Sequence, residues 1–184
     1  MLCNPAFAKP SFLSLLRKTV LLNTDSRPDS LIEVERHKAT VFIFLSSECP
    51  ISNSYMTQLG ELAAEFAKND IIFYGVISDP GVSSADAKKF ADDYKFTSPI
   101  LMDSKQVLAS LLKAHITPEV FIISGRGKIE YQGRVDDRFV ALGKGRVKAR
   151  HKDLRNALAN IAEGKKIKTP RTKVIGCWIP GIGK

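Results

Sequence analysis

The stretch "TVFIFLSSECPIS", residues 40 to 52, decides the fold. Residues 40 to 46 are a run of β-branched, aromatic and aliphatic side chains that closes on a serine. Such a run indicates a strand buried on both faces, as in the middle of a parallel sheet. Pro50 suits the first position of a helix. Cys49 is therefore expected at the junction between a buried strand and a helix.

That junction favours reactivity in Cys49, one of three cysteines in the chain. A thiol at the start of a helix faces unpaired backbone N–H groups and the positive end of the helix dipole. Both stabilise the thiolate, which is the nucleophilic form of cysteine. The alternative is a buried free cysteine that packs as a small hydrophobic residue.

The rest of the chain alternates between strand-like and helix-like patterns. Residues 11 to 40 give a weak signal that allows two short strands around a turn. The later elements are predicted as helix 52–68, strand 70–78, helix 83–96, strand 99–103, helix 104–114, strands 117–124 and 128–135, a basic loop 140–150 and helix 151–163. This alternation predicts a parallel sheet flanked by helices, with a late hairpin as an antiparallel edge. Residues 166 to 184 are expected to form an extended tail over the body.

The formal charge of +9 is concentrated in the C-terminal third. Residues 125 to 184 carry 16 Lys+Arg against five Asp+Glu, whereas residues 1 to 124 carry 12 against 14. Such a patch attracts nucleic acid, acidic lipid or another anionic partner. A solvated basic face is the favoured interpretation, and no nucleic-acid partner is predicted, because stacking aromatics are not interleaved with the cations. No apolar run reaches the roughly 18 to 20 residues of a membrane-spanning helix.

Five blocks of sequence, in a fixed order, carry a family resemblance. They are "SSECPISNSY" (46–55), "TPEVFII" (117–123), "YQGRVDDRF" (131–139), "HKDL" (151–154) and "IGCWI" (175–179). Together they resemble the peroxiredoxin-like redoxin branch of the thioredoxin-like superfamily, the alkyl hydroperoxide reductase/thiol-specific antioxidant group. The resemblance implies an α/β thioredoxin-like fold, with a central mixed sheet flanked by helices and a peroxiredoxin-like βα insertion. It also implies a redoxin domain over residues 19–165 that uses no cofactor.

The resemblance implies a role for the Thr117–Pro118 pair. In a thioredoxin fold, a proline just before the strand that faces the active site has a cis peptide bond. Pro118 has the order and spacing of that proline, so its loop, with Thr117, is expected to lie against Cys49. The alternative is an ordinary trans proline at the start of a strand.

The chain departs from the family pattern at three positions. Ser52 stands where thioredoxins carry their second cysteine, so it either caps the helix or hydrogen-bonds the thiolate of Cys49. Ser46 keeps a hydroxyl in place of the threonine of peroxiredoxins, and Phe42 replaces their proline. Copper-delivery proteins of this fold bind copper through Cys-x-x-x-Cys together with a distant histidine. Only Cys49 of that motif is present here, so no metal site is predicted.

Charged residues near these motifs are candidate supporting groups. Arg134 and Arg138 are candidates for the arginine that peroxidases use. Asp136 and Asp137 could bind a cation or orient a catalytic group, but internal salt bridges that hold a loop are favoured. Glu48 lies next to Cys49 and is a further candidate supporting residue.

Cys177 is the candidate resolving cysteine. If Cys49 is oxidised to a sulfenic acid, a second thiol must condense with it to form a disulfide. Cys177 lies in a C-terminal tail that can reach the active site of its own or of a neighbouring chain. The alternative is a small tail residue packed beside Trp178.

Two functions remain open from the sequence. One is a thiol-dependent oxidoreductase with antioxidant activity, which uses Cys49 on a peroxide or a disulfide substrate and an external thiol reductant. The other is a redox-inactive thioredoxin-like domain that binds a protein partner. Residues 1–18 contain an Ala-Phe-Ala pattern that suggests the remnant of an export signal, so an exported or periplasmic bacterial location is favoured over a cytoplasmic one.

Overall fold

Five α-helices and a 3₁₀ helix lie within residues 11–182, the part of the chain that this computed structural model describes. They are α1 (Phe12–Lys18), the 3₁₀ helix (Leu31–Arg36), α2 (Pro50–Ala67), α3 (Ser84–Asp93), α4 (Val107–Leu112) and α5 (Asp153–Ala162). No helix in this part of the chain is long and apolar enough to cross a bilayer.

Seven strands form the main sheet, in the order β2-β1-β5-β4-β3-β7-β8. They are β1 (Val20–Asn23), β2 (Pro28–Ser30), β3 (Ala39–Phe44), β4 (Ile71–Ile77), β5 (Ile100–Met102), β7 (Glu119–Ser124) and β8 (Ile129–Gly133). Two short pairs stand outside it, formed by β9 (Phe139–Ala141) with β10 (Lys144–Gly145) and by β6 (Ile116–Thr117) with β11 (Cys177–Trp178).

The expected central mixed sheet flanked by helices is confirmed. Strands β3, β4 and β5 are parallel neighbours, whereas β7 and β8 add antiparallel strands on the other side of β3. The prediction that β3 sits within a parallel sheet therefore holds on one side only. A β3-α2-β4 unit and a β7-β8-α5 unit form the two halves, and α3, β5 and α4 are inserted between them.

Strand β3 is buried on both faces because helices cover both sides of the sheet. Val41 and Ile43 point into a core shared with α2, α3 and α5. Phe42 and Phe44 point into a second core shared with α1, α4 and the 3₁₀ helix. The run of apolar residues in β3 is continuous because alternate side chains enter two different cores, one on each face of the sheet.

Two regions differ from the sequence-based prediction. The predicted basic loop contains the β9–β10 hairpin, and helix α1 forms where the signal is weak. Helix α1 packs Leu16 into the second core, so these residues of the predicted N-terminal segment are part of the fold. Residues 1–10, with Cys3 and the Ala-Phe-Ala pattern, lie outside the described residues.

The C-terminal tail is anchored along its length. Arg171 bridges to Gln132 of β8, and the Thr172 hydroxyl accepts a hydrogen bond from the backbone N–H of Arg134 at 3.0 Å. Farther on, the N–H of Ile179 donates to the carbonyl of His115 at 2.9 Å. Ile179 is buried in the second core. These contacts lead the tail from β8 to His115, the residue just before β6.

Candidate active site

Cys49 lies where the sequence predicts, between the end of β3 and the start of α2. It is the N-cap residue of α2, with Pro50 at the first helical position. Its side chain is 1% exposed. The backbone N–H of Ser52 donates to the Cys49 sulfur at 3.5 Å. A helix N-terminus therefore supplies both a donor and the positive end of a dipole to this thiol.

The loop before β7 covers the sulfur from the other side. The Thr117–Pro118 peptide bond is cis, as predicted. The Cys49 thiol donates to the carbonyl of Thr117 at 3.2 Å. The structure thus brings Cys49, Thr117 and Pro118 together.

The tail places Cys177 against the same loop. Cys177 pairs with Thr117 in the antiparallel β11–β6 pair, and the Thr117 hydroxyl faces the Cys177 carbonyl at 3.4 Å. A Cβ added at Gly176 would lie 2.0 Å from the Thr117 carbonyl oxygen, so only glycine permits this approach. Cys177 packs against the core cluster that contains Cys49, and both cysteines are free.

The two thiols have opposite pKa shifts. Burial raises the pKa of Cys49. Hydrogen bonds to its sulfur, led by those from the Cys177 thiol and the Ser52 N–H, outweigh burial and hold the pKa below the ordinary value. Burial and the neighbouring Cys49 raise the pKa of Cys177 to about 11. Cys49 is therefore the thiol that ionises first, and Cys177 stays protonated.

The hydroxyls of Ser46 and Ser52 hold the turn before α2. The Ser46 hydroxyl accepts from the N–H of Glu48 at 3.3 Å, and the buried Ser52 hydroxyl accepts from the N–H of Ser46 at 3.4 Å. It is therefore the backbone of Ser52, and not its side chain, that hydrogen-bonds Cys49. Glu48 is exposed.

The predicted charged supporting residues hold loops around the site. Arg134 forms an ion pair with Asp153 at 2.7 Å. Asp137 accepts backbone hydrogen bonds from Arg150 and His151 at 2.6 and 2.9 Å. The His151 bond is the largest of the causes that lower the pKa of Asp137, and this supports the interpretation of the acidic pair as a loop anchor.

Asp136, the other residue of the acidic pair, belongs to a cluster of side chains that the sequence did not indicate. Asp136 is buried and accepts hydrogen bonds from the Tyr55 hydroxyl and the Arg138 N–H. The Arg138 guanidinium lies 4.3 Å from the centre of the Tyr55 ring. Tyr55 and Asp136 line a small cavity together with Pro118. Tyr55 fits the apolar face of α2, so its periodicity gave no sign of a polar role.

No arginine within residues 11–182 hydrogen-bonds the Cys49 sulfur. The Ser52 N–H donates to that sulfur, the Thr117 carbonyl accepts from its thiol, and Cys177 pairs with the same Thr117. The same residues contain no cluster of three or more His, Cys, Asp or Glu side chains that could hold a metal ion. The arrangement suits thiol chemistry, since the sulfur of Cys49 accepts a backbone hydrogen bond at the start of a helix.

Solved structures with this fold include thiol-dependent redox proteins. An uncharacterized conserved protein of Geobacillus kaustophilus aligns at 26% identity with a TM-score of 0.79, covering 87% of this chain and 86% of its own. The peroxidoxin BcpB of Mycobacterium tuberculosis aligns at 18% identity with a TM-score of 0.59, covering 79% and 92%. A secreted disulfide oxidoreductase of the same organism aligns at 14% identity with a TM-score of 0.58, covering 82% and 97%.

A search of curated proteins finds no significant match. The sequence profile of the AhpC/TSA family, in contrast, matches residues 13–132. That segment covers most of the chain and includes Cys49 and the Thr117–Pro118 loop. The chain therefore belongs to the AhpC/TSA family.

Proposed function

We propose that the chain is a thiol-dependent oxidoreductase in which Cys49 and Cys177 form one dithiol/disulfide couple. The observation that carries this proposal is that Thr117 joins the two cysteines: its carbonyl accepts from the Cys49 thiol, and its backbone pairs with Cys177. The pKa of Cys49 is lowered and that of Cys177 is raised, which agrees with this placement. Such a pair has a nucleophile and a protonated partner in place before any substrate arrives. The thiol-dependent redox chemistry of the family supports the same assignment.

Thiol-disulfide exchange is the reaction we place first. The Cys49 thiolate attacks one sulfur of a substrate disulfide, the S–S bond breaks, and the other sulfur leaves as a thiolate that takes up a proton. Cys49 is then neutral in a mixed disulfide, so the charge that helps to raise the pKa of Cys177 is gone. Cys177 ionises more easily at that point and attacks the Cys49 sulfur, which releases the second substrate thiol.

The products of this cycle are a Cys49–Cys177 disulfide and a reduced substrate. Two electrons and two protons pass from the two cysteines to the substrate disulfide. An external thiol reductant then returns the couple to the dithiol form by the same exchange in reverse. No cofactor takes part in any step.

Peroxide reduction is the second candidate, favoured by the near-complete burial of Cys49. The sulfur of a residue that is 1% exposed is easier for a small oxidant to reach than for a protein disulfide. The thiolate attacks the O–O bond, which gives a sulfenic acid at Cys49 and an alcohol or water. Cys177 then condenses with the sulfenic acid, and water leaves.

The neighbouring residues are assigned supporting roles. The N–H of Ser52 stabilises the Cys49 thiolate, and the Thr117–Pro118 loop holds both thiols in register through the Thr117–Cys177 pairing. Ser46 positions the turn that carries Cys49. Glu48, Arg134 and Asp137 act through the loops that they join or hold, without a contact to sulfur.

The test compares three chains in a Cys3→Ser background, so that two cysteines remain. Each chain is treated with hydrogen peroxide or with a small aromatic disulfide and analysed by non-reducing peptide mass spectrometry. The parent chain should form a Cys49–Cys177 bridge within one chain. C177S should stop at a mixed disulfide or sulfenic acid on Cys49, and C49S should form neither.

The two oxidants separate the two reactions, because a bridge from peroxide alone assigns peroxide reduction. An absence of any Cys49 adduct with both oxidants would refute the oxidoreductase. It would favour the redox-inactive binding domain. Folding of each variant is checked by circular dichroism, so that lost reactivity is not confused with unfolding.

We also propose an exported or periplasmic location in a bacterium. The Ala-Phe-Ala pattern at residues 6–8 resembles a signal-peptidase site, and one protein of the same fold is described as secreted. Fractionation of cells that express the tagged chain would test this, and recovery in the cytoplasmic fraction alone would contradict it.

A further inference from the structure

An exposed, cationic and aliphatic surface lies apart from the thiols. It comprises residues 139–152, the β9–β10 hairpin and the segment that follows, and is called here the cationic hairpin surface. Eight large apolar side chains within residues 11–182 are exposed, and three of them lie on this surface. They are Val140, Leu142 and Val147, which are 47%, 66% and 98% exposed.

The cations of this surface are mostly unpaired. Residues 139–152 contain five Lys or Arg and no Asp or Glu. Arg146 pairs with Asp137 at 3.2 Å. The other four cations are exposed and form no ion pair with any described residue. They are Lys144, Lys148, Arg150 and Lys152. An anionic partner can therefore approach them without breaking internal contacts.

Contacts with the rest of the fold hold the cationic hairpin surface in one conformation. Phe139 packs edge-on against Tyr55, with ring centres 5.6 Å apart. The backbone N–H of Arg146 donates to the carbonyl of Arg138 at 2.7 Å, and the buried Asp137 carboxylate accepts from the N–H of Arg150. Binding therefore does not first have to order this segment, which favours affinity.

The composition distinguishes among anionic partners. Protein interfaces are enriched in aromatic residues and arginine and depleted in lysine, whereas this surface has three lysines and two arginines. Its one Phe, Tyr or Trp residue is Phe139, which packs against Tyr55. Single-stranded nucleic acid is bound through exposed stacking aromatics, and the Phe139 ring is engaged by that contact. Exposed aliphatic side chains among lysines suit the interface of an anionic bilayer, where apolar groups insert and cations meet phosphates.

We propose that the cationic hairpin surface binds anionic phospholipid membranes, with Leu142 and Val147 inserted at the interface. The lysines and Arg150 lie at the level of the phosphates. The proposal concerns peripheral attachment of the folded domain, and it does not depend on the function proposed for the thiols.

Vesicle co-sedimentation tests the proposal with the full chain. The protein should pellet with vesicles of phosphatidylglycerol mixed with phosphatidylcholine and remain in solution with phosphatidylcholine alone. Binding should weaken as salt rises, because the screening length falls from about 10 Å at 0.1 M to about 3 Å at 1 M. Equal binding to both vesicles would overturn the proposal.

Two double variants separate charge from insertion. K148E/K152E should reduce the partition coefficient by at least about 25-fold, since each cation contributes about fivefold near an anionic surface. K105E/K166E, with the same change in net charge at exposed lysines outside the surface, is the matched control. An equal loss in both variants would show a net-charge effect and overturn the assignment to this surface.

L142N/V147N keeps every charge and should also lose most of its binding to the vesicles. If this variant bound as the natural chain does, attraction of a polyanion would explain the binding, and the inserted surface would be rejected. Single-stranded DNA and polyglutamate serve as competing polyanions, and tighter binding to either than to vesicles would also reject it. Circular dichroism spectra and urea denaturation are compared across the variants to show that each one is folded.

Discussion

Replacement of Gly176 by alanine should open the active site. The added Cβ would lie 2.0 Å from the Thr117 carbonyl oxygen and 2.8 Å from the Ile116 Cγ2 atom. Ordinary contact at a Cβ begins near 3.4 Å, and the first of these atoms is backbone, so the tail has to move. Gly176 has no left-handed backbone angle, so alanine adds a steric conflict without backbone strain.

The expected increase in opening of the site is estimated from the contacts that the tail loses when it moves. Loss of the hydrogen bond from the Ile179 N–H to the His115 carbonyl costs about 1.5 kcal/mol, and partial exposure of Ile179 costs about 1.5 kcal/mol. A total of about 3 kcal/mol raises the open population about 100-fold, at tenfold for each 1.4 kcal/mol. Alkylation of Cys49 requires this opening, because its side chain is 1% exposed.

The assay is iodoacetamide labelling at pH 9, followed by mass spectrometry of the Cys49 peptide. Labelling in G176A should be about 100-fold faster than in the natural chain, by the estimate above. G145A is the matched control, since its Cβ would meet its nearest atom at 3.7 Å. An unchanged rate in folded G176A would refute the view that the tail closes the site.

Three further predictions concern single residues elsewhere in the described structure and at Cys177. C177A removes the thiol that helps to lower the pKa of Cys49. The thiolate absorbance near 240 nm should therefore appear at higher pH than in the natural chain. An unchanged midpoint of this pH titration would contradict the role of Cys177 in lowering the pKa. G60A should raise the free energy of unfolding by about 1 kcal/mol in urea denaturation, because Gly60 lies inside α2 and its Cβ would meet nothing closer than 4.0 Å. Y131F should lower it by about 1 to 2 kcal/mol, since the buried Tyr131 hydroxyl donates to the Arg134 carbonyl at 2.6 Å and meets the Thr172 hydroxyl at 2.8 Å; equal stability would show that these bonds contribute nothing net.

The spacing of apolar residues was enough to predict the elements that are long and buried. Strand β3 and helix α2 are unmistakable because their apolar residues repeat with a clear pattern. The β9–β10 hairpin and strand β11 span only two or three residues each, too few for a pattern to emerge. Their positions are set by tertiary contacts such as those between Phe139 and Tyr55.

The candidate site was predictable in its residues and not in its contacts. The strand–Cys–Pro order placed Cys49 at a helix start, and Cys177 was named as a possible partner. That the two thiols meet depends on the tail pairing with Thr117, which no local pattern reports. The hydrogen bond between Tyr55 and Asp136 was missed for the same reason, because 81 residues separate the two side chains.

Strand β11 also protects an edge. The backbone of Ile116 and Thr117 would otherwise present free N–H and C=O groups to solvent beside a reactive sulfur. Exposed edges of this kind are templates for strands of other chains. A chain cut before Gly176 should therefore pair through this edge with a second copy. With Cys177 lost as well, the oxidised cut chain should accumulate Cys49–Cys49 dimers in place of an internal bridge.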